Sequence, residues 1–194
     1  MTLHFLQQLL LLTLTRPRAA AAQLKSLDLA LGTGWTAILL VSVGSALMGF
    51  LGFVMTPAAL DPALSAVFGS PLRTALIQFG VLALTGVLAH WVGARFGGTG
   101  TLAQALVLVA WVQVPPILLQ VAQLVAMVVI PPLAPLIGLV SFALYAVLLA
   151  LFIAELHGFR SGVAVFFGVI AVSFLVALGA AVLFAVLLGV PSHV

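Results

Sequence analysis

A chain of 194 residues that is 65% hydrophobic and only 5% charged cannot coat a soluble globule, where about a quarter of residues are charged. Its mean hydropathy of +1.43 points instead to a protein that crosses a membrane several times. Six Lys and Arg stand against three Asp and Glu, but they are scattered and form no basic stripe, so no nucleic-acid partner is expected. The chain has no cysteine, which excludes disulfides, thiolate nucleophiles and Cys-held metals.

Residues 1–14 form an apolar run, but Arg16 and Arg18 follow it, the reverse of a secretory signal, so no cleavage is expected. The run is too short to cross a core about 30 Å thick. It reads as an amphipathic helix with His4, Gln7 and Gln8 on one side. Thr15-Arg16-Pro17 breaks it and opens a second helix reaching Gly32, with Pro17 suited to a first helical position. Ala20, Leu24, Leu27 and Leu31 share one face of that helix, and Arg18 and Lys25 lie opposite. Such helices either lie in the headgroup plane with cations toward anionic lipid or pack on the spans.

The first span is Trp35–Met55, stopped by Thr56-Pro57 and followed by a loop, Ala58–Pro71, marked by Asp61-Pro62. The second is Leu72–Val92, with His90 and Trp91 near its far end. The third apolar run, Thr101–Ile130, would be about 45 Å long as one straight helix, and Pro115-Pro116 predicts a kink within it. A Pro131-Pro132 turn leads to a fourth span, Leu133–Ala154, and the fifth run is Gly162–Val190. The fold class is therefore an all-α membrane protein, a five-transmembrane-helix bundle with amphipathic interfacial N-terminal helices. The expected organisation is an interfacial segment over residues 1–32, a five-span domain over 33–190 and a short tail over 191–194. Arg16, Arg18, Lys25, Arg95 and Arg160 fall on one side and Arg73 on the other. The positive-inside bias then places the N-terminus in the cytoplasm and the C-terminus outside. Dominance of Ala, Leu, Val and Gly, with five Arg to one Lys, suggests a bacterial inner membrane.

Two polar turns interrupt the hydrocarbon. The first places Arg95 and Phe96 among Gly97, Gly98 and Gly100; the second holds Glu155, His157, Gly158, Phe159 and Arg160. Thr99 and Ser161 fit N-cap positions after them, which hints at a parallel repeat of two helical hairpins. The glycine turn lacks the GK[ST] ending of a nucleotide loop, so no nucleotide is expected there. It suits positive φ and close helix approach, or a contact of lipid phosphate or partner with Arg95 and exposed amides. Glu155 and His157 are functional candidates as ionisable groups at membrane depth; the plainer reading pairs them with Arg95, Arg160 or lipid headgroups. His90 suits a proton relay or a metal ligand, but His4, His90, His157 and His193 show no ligand spacing, so no metal is expected.

Gln113, Gln120 and Gln123 share an arc of about 80° on the third run, with Gln78 available from the second. They suit interhelical hydrogen bonds or, more sharply, a conduction path. Ser173, Ala177, Ala181, Ala185 and Gly189 form a small-residue stripe for packing or a dimer face. Asp28, Asp61 and Glu155 are too dispersed for an acid pair. No catalytic residue and no cofactor is expected, and the chain does not read as an enzyme.

Taken in order, Arg16-Pro17-Arg18 before an amphipathic helix, Arg95-Phe96-Gly97-Gly98 and Gly100 after the second span, Pro115-Pro116 in the third and Glu155 to Ser161 before the fifth resemble the Yip family (Ypt/Rab-interacting proteins) over about residues 10 to 190. The resemblance implies five transmembrane helices and a cytoplasmic N-terminus, in a family whose eukaryotic members contact Rab-type GTPases and one another in membrane traffic. The long N-terminal region of those members has no counterpart here, so a GTPase partner is not expected. The expected partners are membrane lipid and other membrane proteins or a second copy of the chain. The expected function is that of a non-enzymatic membrane organiser or adaptor working through helix and turn contacts. The alternative is a small transporter, channel or lipid scramblase using the Gln-bearing third span.

Overall fold

The computed structural model describes residues 3–55, 65 and 68–187, with side chains as far as Gly179. All the regular elements among these are helical: α1 (Leu3–Thr15), α2 (Pro17–Lys25), α3 (Leu31–Met55), α4 (Pro71–Arg95), α5 (Leu102–Val112), α6 (Val114–Val129), a 3₁₀ turn (Pro131–Leu133), α7 (Ala134–His157) and α8 (Gly162–Leu187). Five helical stretches are long and apolar enough to cross a membrane: α3, α4, α5 with α6, α7 with its leading turn, and α8. The Thr56-Pro57 stop, Asp61-Pro62, the tail with His193, and the side chains of Ala181, Ala185 and Gly189 lie outside the described residues.

The bundle is built around α5. Ala105 to Ala110 and Val112 are all buried, with α3 and α4 against one side and α7 and α2 against the other. Leu82, Ile38, Phe152 and Leu156 close the core around Leu106 and Val109. The third run does break, at Gln113 between α5 and α6. Pro115 and Pro116 lack the N–H groups that Trp111 and Val112 carbonyls would bond four residues on, so the α5 ladder stops there. Both prolines then occupy the opening of α6, where no donor is required. Beyond the break α6 packs on α7 and α3, and α8 packs on α7. Phe167, Phe174 and Leu175 of α8 point outward, as lipid allows.

The N-terminal helices differ from expectation in two respects. The second ends at Lys25 instead of Gly32, because Asp28 turns the chain with a left-handed φ of 44° and α3 begins at Leu31. Its cations, expected to face away from the apolar side, turn to the end of α7. The Arg18 guanidinium donates to Arg160 O and Lys25 Nζ donates to Leu156 O, both at 2.9 Å. Cations suit a helix C-terminus, where carbonyls lack intrahelical donors. With Ala20, Ala21 and Leu24 buried, α2 is packed on the spans.

The α1 helix is fixed through a buried polar contact. Thr13 has no exposed surface; its hydroxyl donates to Leu9 O at 2.7 Å and accepts from the Trp111 indole N–H at 2.9 Å. Thr13→Val should leave that N–H unpaired and lower stability in detergent by about 1–3 kcal/mol. In a Trp111→Phe background the same change should cost little, which a double-mutant cycle of thermal unfolding would test.

Candidate functional site at the polar turns

Both polar turns stop their helices in the same way. After α4, Gly97 adopts φ 83°, its N–H bonds Ala94 O at 3.1 Å, and Gly98 N–H reaches back to Gly93 O at 2.9 Å. After α7, Gly158 adopts φ 74°, its N–H bonds Glu155 O at 3.3 Å, and Phe159 N–H reaches Ala154 O at 2.8 Å. Each is a Schellman stop built on the residue type that accepts positive φ. The connections that follow differ by one residue. The α5 N-cap is Thr101, not Thr99: its hydroxyl accepts from Gln104 N–H at 3.2 Å and Gln104 Oε1 accepts from Thr101 N–H at 3.1 Å. Only Thr101 has a glutamine three residues on, which closes a capping box. Ser161 does sit as an N-cap, accepting from Ala164 N–H at 3.1 Å.

His157 joins the two turns. It is 3% exposed, and both ring nitrogens are used. Nε2–H donates to Ala89 O at 2.9 Å, and Nδ1 accepts from Gly100 N–H at 3.3 Å. One donor and one acceptor define a neutral imidazole carrying its proton on Nε2. His90 completes the clamp, its Nδ1–H donating to Gly100 O at 2.9 Å. Both backbone polar groups of Gly100 are thus held by histidines, one from α4 and one from α7. The ring lies between Gly93 and Gly98, where a methyl on either would overlap the imidazole. Phe159 stacks on its face at 5.5 Å between centroids.

The remaining residues separate into outward and inward groups. Arg95 is exposed with its guanidinium 4.5 Å from the centre of the Trp91 ring, a cation–π contact. Phe96 is 77% exposed beside it. Arg160 is exposed and Phe159 half-buried. Glu155 is half-buried, and among the described residues no ion pair joins it to Arg95 or Arg160. No group of three His, Asp or Glu able to hold a metal occurs among the described residues. The glutamines do not act as one set. Gln120 and Gln123 line a cavity of about 220 Å³ between α6 and α7, with Pro116, Gly138, Ser141 and Tyr145. Gln113 is buried at the α5–α6 break and Gln78 is half-buried on α4, and neither lines that cavity.

Sequence reasoning missed the Arg18 and Lys25 caps and the facing polar pair Ser141 and Tyr145. The pair was visible as two polar residues four apart on one face of the fourth span. Nothing local marks the caps, which join positions 142 and 131 residues apart.

Gly98→Ala should push a methyl onto the His157 ring and destabilise the protein by about 1–3 kcal/mol. The penalty should largely disappear in a His157→Gly background, which removes both the ring and the Cβ that the methyl strikes. Thermal unfolding of the four proteins in one detergent checks this. Equal penalties in both backgrounds would show that Gly98 is confined by something else.

The family model described as the Yip1 domain matches residues 11–184, from within α1 to within α8. No curated protein and no solved structure matches the chain. With that match over nearly its whole length, and five apolar helices arranged around a buried third, the chain belongs to the Yip1 family and is a multi-pass integral membrane protein.

Proposed function

We propose that this protein is a non-enzymatic membrane organiser or adaptor that acts through the outer edge of its polar turns. The supporting observation is the contrast across those turns. Inward, both ring nitrogens of His157 are bound to backbone groups and His90 is held through Nδ1 by Gly100 O, so the two rings serve to join the turns. Outward, Phe96, Trp91 and Arg95 form an exposed aromatic–cationic edge. Aromatic rings with a cation suit the headgroup level of a membrane or a partner's acidic and aromatic surface. In this reading the turns face the cytoplasm of a bacterial inner membrane, and the client is another membrane protein or a second copy, with lipid as the surrounding ligand. A second reading, transport or lipid scrambling, rests on the Gln120–Gln123 cavity, from which Gln78 and Gln113 stand apart.

Photoreactive side chains in place of Phe96 and Phe159, irradiated in native membranes, test the adaptor role. A discrete protein adduct is expected, and Arg95→Ala or Arg160→Ala should reduce it severalfold. Adducts to lipid alone would remove the adaptor role and leave transport to be tested by flux in proteoliposomes. Orientation is checked separately with single cysteines. Thr99→Cys and Ser161→Cys, both at exposed positions, should be shielded from an impermeant thiol reagent added outside the cell. Ser65→Cys should react, and the opposite pattern would invert the topology.

A further inference from the structure

We propose that the cavity between α6 and α7 binds a neutral lipid with a free hydroxyl, of the diacylglycerol class. The site lies away from the polar turns and does not depend on the adaptor reading. Gln120 lines this cavity, and its Oε1, buried behind the lining, has no hydrogen-bond partner among the described residues; a rotation of the amide brings it to the cavity. Gln120 stands ten residues before Ile130, about 15 Å along the helix and so near the middle of a core about 30 Å thick. At that depth no bulk water compensates an orphaned carboxamide, and its partner must come from another molecule or from lipid.

The lining limits what that partner can be. It contains no charged side chain, so a phosphate or ammonium would lose its hydration with no counter-charge. A hydroxyl both donates and accepts, and so satisfies the Gln120 amide in either orientation, with the Ser141 and Tyr145 hydroxyls close by for a second bond. Filling by water alone is a poor match. At about 30 Å³ per molecule the cavity would hold roughly seven waters, each wanting about three hydrogen bonds, against four polar side chains in the lining. Pro116 and Phe142 supply an apolar wall instead, and Phe142 is 71% exposed toward the surrounding lipid. A ligand with one polar tip and an apolar body, entering sideways from the acyl region, fits that division.

The test uses the full chain in phosphatidylcholine nanodiscs with a photoreactive, alkyne-tagged diacylglycerol. Adducts should map to α6 and α7 peptides and be displaced by unlabelled diacylglycerol, but not by its hydroxyl-free methyl ether. Gln120→Leu removes the acceptor and should lower displaceable labelling about tenfold; Ser141→Ala should lower it severalfold. Because Gln120→Leu also removes an unpaired polar group, it should keep or raise the unfolding temperature, so lost labelling is not lost folding. A long-chain alcohol that displaces the probe as well as diacylglycerol does would support the site and show that one hydroxyl suffices for recognition. Equal displacement by the methyl ether, undiminished labelling of Gln120→Leu, or adducts spread evenly over all lipid-facing helices would overturn the proposal. Crosslinks between two copies of the chain at α6 and α7, in place of lipid adducts, would overturn it in favour of a dimer face.

Discussion

The arrangement of the helices depends on one neutral imidazole. Among membrane helices the lipid tails are as apolar as the side chains, so no hydrophobic force selects one packing over another. Close packing and buried polar bonds must make the choice. His157 does both. Its ring ties the α4 carbonyl of Ala89 to the Gly100 amide at the entrance of α5, and it sits where Gly93 and Gly98 leave only enough room for it. Entry of α5 at this fixed point, directly after the Thr101 capping box, places Leu106 and Val109 at the centre of the core. The end of α7 that presents His157 is in turn held by Arg18 and Lys25 of α2. Histidine, glycines and cations are thus parts of one joint.

That joint divides the molecule into two unlike halves. Seven residues of the eleven in α5 are buried, whereas α6, sixteen residues long, buries three. No residue in the candidate span of α8 is buried within the chain. The proline break between α5 and α6 is the physical boundary, since it frees the second half of the third span from the direction set by the first. Around α5 the buried hydroxyls of Thr13 and Ser42 are matched by backbone carbonyls, whereas Ser45 Oγ on α3 has no partner among the described residues. Beyond the break, Gln120 beside the cavity is left with a buried acceptor that has no partner among the described residues. Ligand capacity therefore belongs to the looser half and shape to the tighter one.

What could be read from the sequence follows the same division between local and distant causes. Five long apolar runs identify the spans because the bilayer imposes length and composition on each run by itself. Pro115-Pro116 showed the break because proline acts within its own helix. The glycine turn showed its positive φ, realised at Gly97, for the same reason. Thr99 and Thr101 both suit an N-cap by residue type, and only Gln104, three residues after Thr101, separates them. The His157 clamp was of another kind. Its partners lie 57 and 68 residues away, and a histidine at a helix end looks the same in sequence whether it faces lipid or fills a slot. The slot itself was present as Gly93 and Gly98, but glycine at a turn has a nearer explanation, and that explanation concealed the second role.

The two polar turns show how one backbone device serves opposite ends. Phe96 and His157 each immediately precede the positive-φ glycine of a Schellman stop, with the same pair of backbone bonds around them. The backbone therefore puts both side chains at an equivalent place on their helices. Yet Phe96 is 77% exposed and His157 is 3% exposed. The difference arises from what each helix end meets. The end of α7 meets α4 and the entrance of α5, which offer a carbonyl, an amide and a gap of two missing methyls. At the end of α4, the Phe96 ring meets no such slot and stands outward near Trp91 and Arg95. The inward histidine then fixes the position from which the outward aromatic and cation are displayed, so the clamp and the exposed edge are coupled through a single rigid turn.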